Sequence, residues 1–106
     1  MTTTSIALTS IQRTIARALS IAPSDRSRIG RAAELISFGL VSQTDASTFT
    51  VRSLTDDTLV YTVQPDACTC EGRRHYPTRR CSHEWAARIV LSAAREDIAQ
   101  REQAQR

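Results

Sequence analysis

The sequence predicts a small α+β domain, with two N-terminal helices, a β-hairpin and a C-terminal helix in that order. Three observations predict it. Apolar residues step by threes and fours over the first 40 positions, which is the period of a helix. Two short segments, Thr48 to Arg52 and Tyr61 to Val63, alternate apolar with polar, the period of a half-buried strand. The three cysteines of the chain stand in one window after the hairpin, as Cys68-x-Cys70 and Cys81-x-His83.

The first helix is expected over Ser5 to Ser20. Leu8, Ile11, Ile15, Ala18 and Ala22 form one stripe, two heptads long, that could pack on its own domain or on a second copy. Pro23 ends it, and Ser24-Asp25 offers an N-cap for the next. The second helix is expected over Asp25 to Phe38, with Ile29, Ala32, Ala33, Ile36 and Leu40 inward and Arg26, Arg28 and Arg31 on the solvated side. Gly39 suits its end, because glycine takes the left-handed conformation without steric cost.

The hairpin register follows from burial. A five-residue loop, Leu54 to Thr58, sets Phe49 against Val63 and Val51 against Tyr61, so one face is consistently apolar. A two-residue turn at Asp56-Asp57 would put these residues on opposite faces. Pro65 then ends the second strand. The last helix is expected to open at the second cysteine pair, with Ser82 as N-cap and Glu84 favourable in the first turn. Trp85, Ala86, Ile89, Val90 and Ala93 face inward, and from Arg95 onward the helix reads as a solvated extension with Asp97–Arg101 and Glu102–Arg106 pairs.

With 106 residues the chain is expected to form one domain of modest core, so a structural metal would add materially to its stability. The formal net charge is +3, and all 14 basic residues are arginines. Three thiolates and a divalent ion change that to +2 (+3 − 3 + 2), a mild excess that permits a polyanionic partner without demanding one. No apolar run approaches the ~18 residues of a membrane span. The acid-free, Ser/Thr-rich first 24 residues have the composition of a transit peptide, but their apolar spacing favours an ordinary amphipathic helix.

Cys68, Cys70, Cys81 and His83 carry the clearest chemistry. Three thiolates and one imidazole make a complete tetrahedral set for one structural zinc ion, with no position left open for catalysis. An odd number of cysteines cannot pair off in disulfides, so reduced thiols in an intracellular protein are expected. His75 lies mid-loop among arginines and is expected outside the ligand set. The chain shows no nucleophile–base pair, no paired-carboxylate cleft and no glycine-rich phosphate loop, and three glycines are too few to suggest one. Neither an enzyme nor a small-molecule substrate is expected.

The pattern of Cys-x-Cys, spacer and Cys-x-His, after a hairpin and opening a helix, resembles the SWIM-type zinc finger. Phe49-x-Val51, Tyr61-x-Val63, Thr69, Ala87 and the Arg31–Ile36 segment with Gly39 extend the resemblance over roughly residues 30 to 92. Ser82 stands where lysine is frequent, and Glu71-Gly72 replaces the usual continuation after the first pair. The resemblance implies a ββα zinc-finger core at 30–94, flanked by a helical segment at 1–29 and a polar tail at 95–106. It also implies DNA or protein binding without catalysis. Arg73, Arg74, Arg79 and Arg80 bracket Tyr76 in the loop between the ligand pairs, and these five residues are the candidate nucleic-acid contacts, DNA before RNA. A protein partner docked on the first helix is the alternative. The expected location is cytoplasmic or nucleoid-associated.

Overall fold

The computed structural model describes residues 6–56, 58–75 and 79–104. Helix α1 spans Leu8–Ile21, and a short 3-10 turn at Pro23–Asp25 leads into α2, Arg26–Ser37. Four strands follow: β1 Val41–Gln43, β2 Phe49–Arg52, β3 Val60–Gln64 and β4 Ala67–Cys68. A short helix α3, Glu71–His75, lies between the ligand pairs, and α4 runs from Ser82 to Ala104.

The α+β class is as expected, but the hairpin is the centre of a larger sheet. All four strands pair antiparallel in the order β1-β2-β3-β4. The expected register holds: Phe49 faces Val63 and Val51 faces Tyr61. Ser53 N–H donates to the Leu59 carbonyl at 3.0 Å and closes the loop between β2 and β3. Pro65 does end β3, but Pro65 and Asp66 then turn the chain back, and Cys68 pairs with Val63. The sequence pattern could not show β1 and β4, because strands of three and two residues are too short for a period to emerge.

Helix α2 ends as glycine chemistry predicts. Gly39 has φ +71°, Leu40 N–H donates to the Leu35 carbonyl and Gly39 N–H to the Ile36 carbonyl, both at 3.0 Å. These two bonds satisfy carbonyls that the helix end would otherwise leave open. The chain is thereby turned directly into β1.

One core joins α1, α2, the sheet and α4. Phe49, Val51 and Val63 from the sheet meet Ile29, Ala32 and Leu35 of α2 and Trp85, Ala86 and Ile89 of α4. Full burial of a side chain such as Phe49, Ile29 or Leu35 contributes about 1.5–3 kcal/mol. Ile11, Ile15 and Leu19 of α1 pack against the same cluster. The expected boundaries at 29/30 and 94/95 therefore fall inside packed helices. Ile11, Ile15 and Ala18 of the expected α1 stripe are thus used within the domain.

The inner face of α1 differs from the expected stripe. Its buried residues are Ser10, Thr14 and Ala18, while Leu8 is largely exposed. Ser10 Oγ donates to Asp97 Oδ1, Ala7 N–H donates to Asp97 Oδ2 at 2.7 Å, and Thr14 Oγ1 donates to the Ser10 carbonyl at 2.7 Å. A carboxylate at a helix N-terminus is favourable, so Asp97 of α4 caps α1 from a distance. Arg13 and Arg17 both pair with Glu96. The segment after Arg95 is thus anchored through its first turn, and the carboxylate of Asp97 serves α1, where a surface pair with Arg101 was expected.

Candidate metal centre

Three elements bring the four predicted ligands together. Strand β4 carries Cys68 at the sheet edge, the turn into α3 carries Cys70, and the entrance of α4 carries Cys81 and His83. Their ligand atoms all lie within 4.8 Å of one another. Cys68 Sγ is 3.7 Å and Cys81 Sγ 3.9 Å from His83 Nδ1, which makes Nδ1 the ring atom facing the cluster. A tetrahedral ion with bonds of about 2.3 Å to sulfur and about 2.0–2.1 Å to nitrogen sets these atoms about 3.6 Å apart. The donor set and its spacing therefore fit one metal ion. His75 closes α3 in an exposed position and is not part of this group.

The three thiols are unbridged, and Cys70 and Cys81 are buried. Cys81 is pushed up to about 12, first by its hydrogen bond with Cys68 and then by burial. Burial raises Cys70 as well. Without a cation Cys70 and Cys81 hold their protons near neutrality, because burial disfavours their thiolates. A metal ion reverses that balance by bonding the thiolates directly, and a divalent ion with three of them leaves the site a net charge of −1.

Cys81 is also the N-cap of α4, the place expected for Ser82. Glu84 N–H donates to Cys81 Sγ at 3.4 Å, and Cys81 N–H donates to Glu84 Oε1 at 3.4 Å. This is a capping box with sulfur in place of a hydroxyl. The helix N-terminus faces the cluster and favours its negative charge. The spacing Cys81-x-x-Glu84 was the signal in the sequence, hidden because cysteine is not a usual cap.

Two further residues hold the site. Tyr61 of β3 stacks on the His83 ring with centroids 4.6 Å apart. Glu84, 0% exposed, pairs through Oε1 with Arg73 Nε at 3.1 Å. Its Oε2 is buried without a hydrogen-bond partner among the described residues, and Glu84 is one of the residues lining a polar cavity of about 350 Å³.

The loop arginines fall into different settings. Arg73 is tied down: besides Glu84, it donates to the Arg79 carbonyl at 2.9 Å and the Asp66 carbonyl at 3.3 Å. Its guanidinium staples α3 to the strand turn and to α4, a structural position for a residue expected to contact nucleic acid. Arg74 and Arg79 are exposed. Arg80 lies over Trp85, its Cζ 5.6 Å from the ring centroid. Tyr76 lies outside the described residues.

Compared with protein-family models, with curated proteins and with solved structures, the chain finds no match in any of the three. Among the described residues, no helix is long and apolar enough to cross a membrane.

Proposed function

We propose that the chain is a SWIM-type module built on one structural zinc ion, and that it binds nucleic acid without catalysis. The observation that carries the metal reading is the convergence of three sulfurs and one imidazole nitrogen within 4.8 Å. Zinc suits this set because it takes thiolate and imidazole donors in closed tetrahedral sites and has no redox chemistry to expose buried thiols to. Bound there, zinc supplies a cross-link, with Cys68 holding the sheet edge, Cys81 and His83 holding α4, and Cys70 fixing the start of the arginine-rich loop. Such an ion belongs to a reduced, intracellular setting.

The arginines of the loop, held at both ends by the ligand pairs, support the nucleic-acid reading. Arg74 and Arg79 are exposed and Arg80 is steadied by Trp85. Phosphate contacts by exposed guanidiniums position a strand and make binding fall with salt. A salt titration of DNA binding by the zinc-loaded protein, against Arg74→Ala, Arg79→Ala and Arg80→Ala, tests it. Loss of affinity and a shallower salt dependence are expected. Binding unaffected by the three changes would remove the loop as a contact surface.

A further inference from the structure

A groove of about 640 Å³ runs between α1 and α4, and none of the four metal ligands lines it. Arg17 of α1, Arg88 and Arg95 of α4 and Arg80 from the loop line it, and Asp66 is the acidic residue among its lining. Four arginines and one aspartate give 4 − 1 = +3, the same as the formal net charge of the whole chain. Glu96, which pairs with Arg17 at 3.3 Å, lowers that local excess to +2 (3 − 1). Arg17, Arg88 and Arg95 are all exposed along it.

The spacing of these groups is regular. Arg88, Ser92 and Arg95 stand at i, i+4 and i+7, on one face of α4. Seven residues rise about 10.5 Å along a helix, roughly three phosphates of a stacked strand at about 3.4 Å each. Arg17 stands on the opposite wall, and Ser92 adds a hydroxyl donor between the two α4 arginines. Burial, and then the neighbouring Arg80, push the pKa of Arg88 down, so a polyanion in the groove relieves a like-charge crowding already present. The groove shares Arg80 and Asp66 with the polar cavity lined by Arg73 and Arg79, so it adjoins the loop, and Asp25, Asp66 and Glu84 balance the arginines of that cavity.

We propose that this groove seats the phosphodiester backbone of a nucleic-acid strand, with Arg17, Arg88 and Arg95 as its phosphate contacts. The proposal rests on the nucleic-acid reading above and extends the contact surface beyond the loop. Arginine suits a phosphodiester strand because its planar fork can make two parallel bonds to one phosphate group.

The test is fluorescence anisotropy of the zinc-loaded chain with single-stranded DNA, duplex DNA, RNA and poly-glutamate over a salt series. The triple variant Arg17→Gln, Arg88→Gln, Arg95→Gln is compared with the loop variant Arg74→Gln, Arg79→Gln, with zinc content and circular dichroism confirming that both fold. For the groove variant, affinity for nucleic acid is expected to fall about tenfold or more, and the log–log salt slope to drop by about 2. Loss in the loop variant alone overturns the groove and leaves the loop reading standing. Loss in the groove variant alone supports the groove and moves the contact away from the loop. Wild-type chain that binds none of the nucleic acids overturns both, and tighter binding of poly-glutamate assigns the groove to an acidic protein instead.

Discussion

The Tyr61 ring lies 4.6 Å from the His83 ring, tilted 33° to it. Tyr61 is set there by the sheet, because its register partner Val51 is buried in the core and leaves the tyrosine on the face turned toward α4. The contact fixes the plane of the imidazole and keeps Nδ1 aimed at the sulfurs. Groups that orient a metal ligand contribute about 10–100-fold to metal affinity. Tyr61→Ala is expected to weaken zinc binding about tenfold, and Tyr61→Phe to leave it near wild type, as read by competition with a chromophoric chelator.

The buried pair of Glu84 with Arg73 makes an asymmetric prediction. Glu84 is fully buried and one of its oxygens has no hydrogen-bond partner among the described residues, whereas Arg73 keeps 24% of its side chain exposed. Removing Arg73 strands a buried carboxylate beside an anionic metal site, while removing Glu84 strands a cation that water can reach. Breaking a buried pair costs about 3–5 kcal/mol, so Arg73→Met is expected near that range and Glu84→Gln below it. Urea unfolding of the zinc-loaded variants measures both, and the double variant is expected to cost less than the sum.

Asp97 links stability to pH. Its carboxyl is held below the ordinary value of 3.8, first by the hydrogen bond from Ser10 and then by that from Ala7 N–H. A lowered folded pKa gives stability that is complete above the unfolded value and is lost as pH falls through the folded one. The difference in thermal midpoint between wild type and Asp97→Asn is therefore expected to stay constant from neutrality to about pH 5 and to shrink below about pH 4. Release of metal in acid affects both chains, so the comparison isolates the cap. A difference that grows on acidification would contradict this role.

The parts of the fold legible in the sequence were those governed by a period or by one residue's backbone preference. The register of β2 with β3 followed from the alternation around Phe49, Val51, Tyr61 and Val63, and the end of α2 from Gly39. The ligand set followed from residue type and spacing alone. The misses came from contacts that no local pattern encodes. Asp97 and Ser10 meet across most of the chain, so an aspartate that reads as surface charge is a buried cap. Ser10 and Thr14 face inward because their hydroxyls are satisfied there, which let them displace Leu8 from the inner face. Arg73 reads as one of four equivalent loop arginines until α3 turns it back onto Glu84.

The metal content of the purified chain tests the central claim most directly. Protein prepared under reducing conditions and assayed by mass spectrometry is expected to carry one zinc per chain, and Cys70→Ser to carry none. Chelation is expected to lower the thermal midpoint by on the order of tens of degrees, or to abolish the transition. Wild-type chain that contains no metal yet unfolds cooperatively, together with Cys70→Ser that unfolds at the same temperature, would contradict the account.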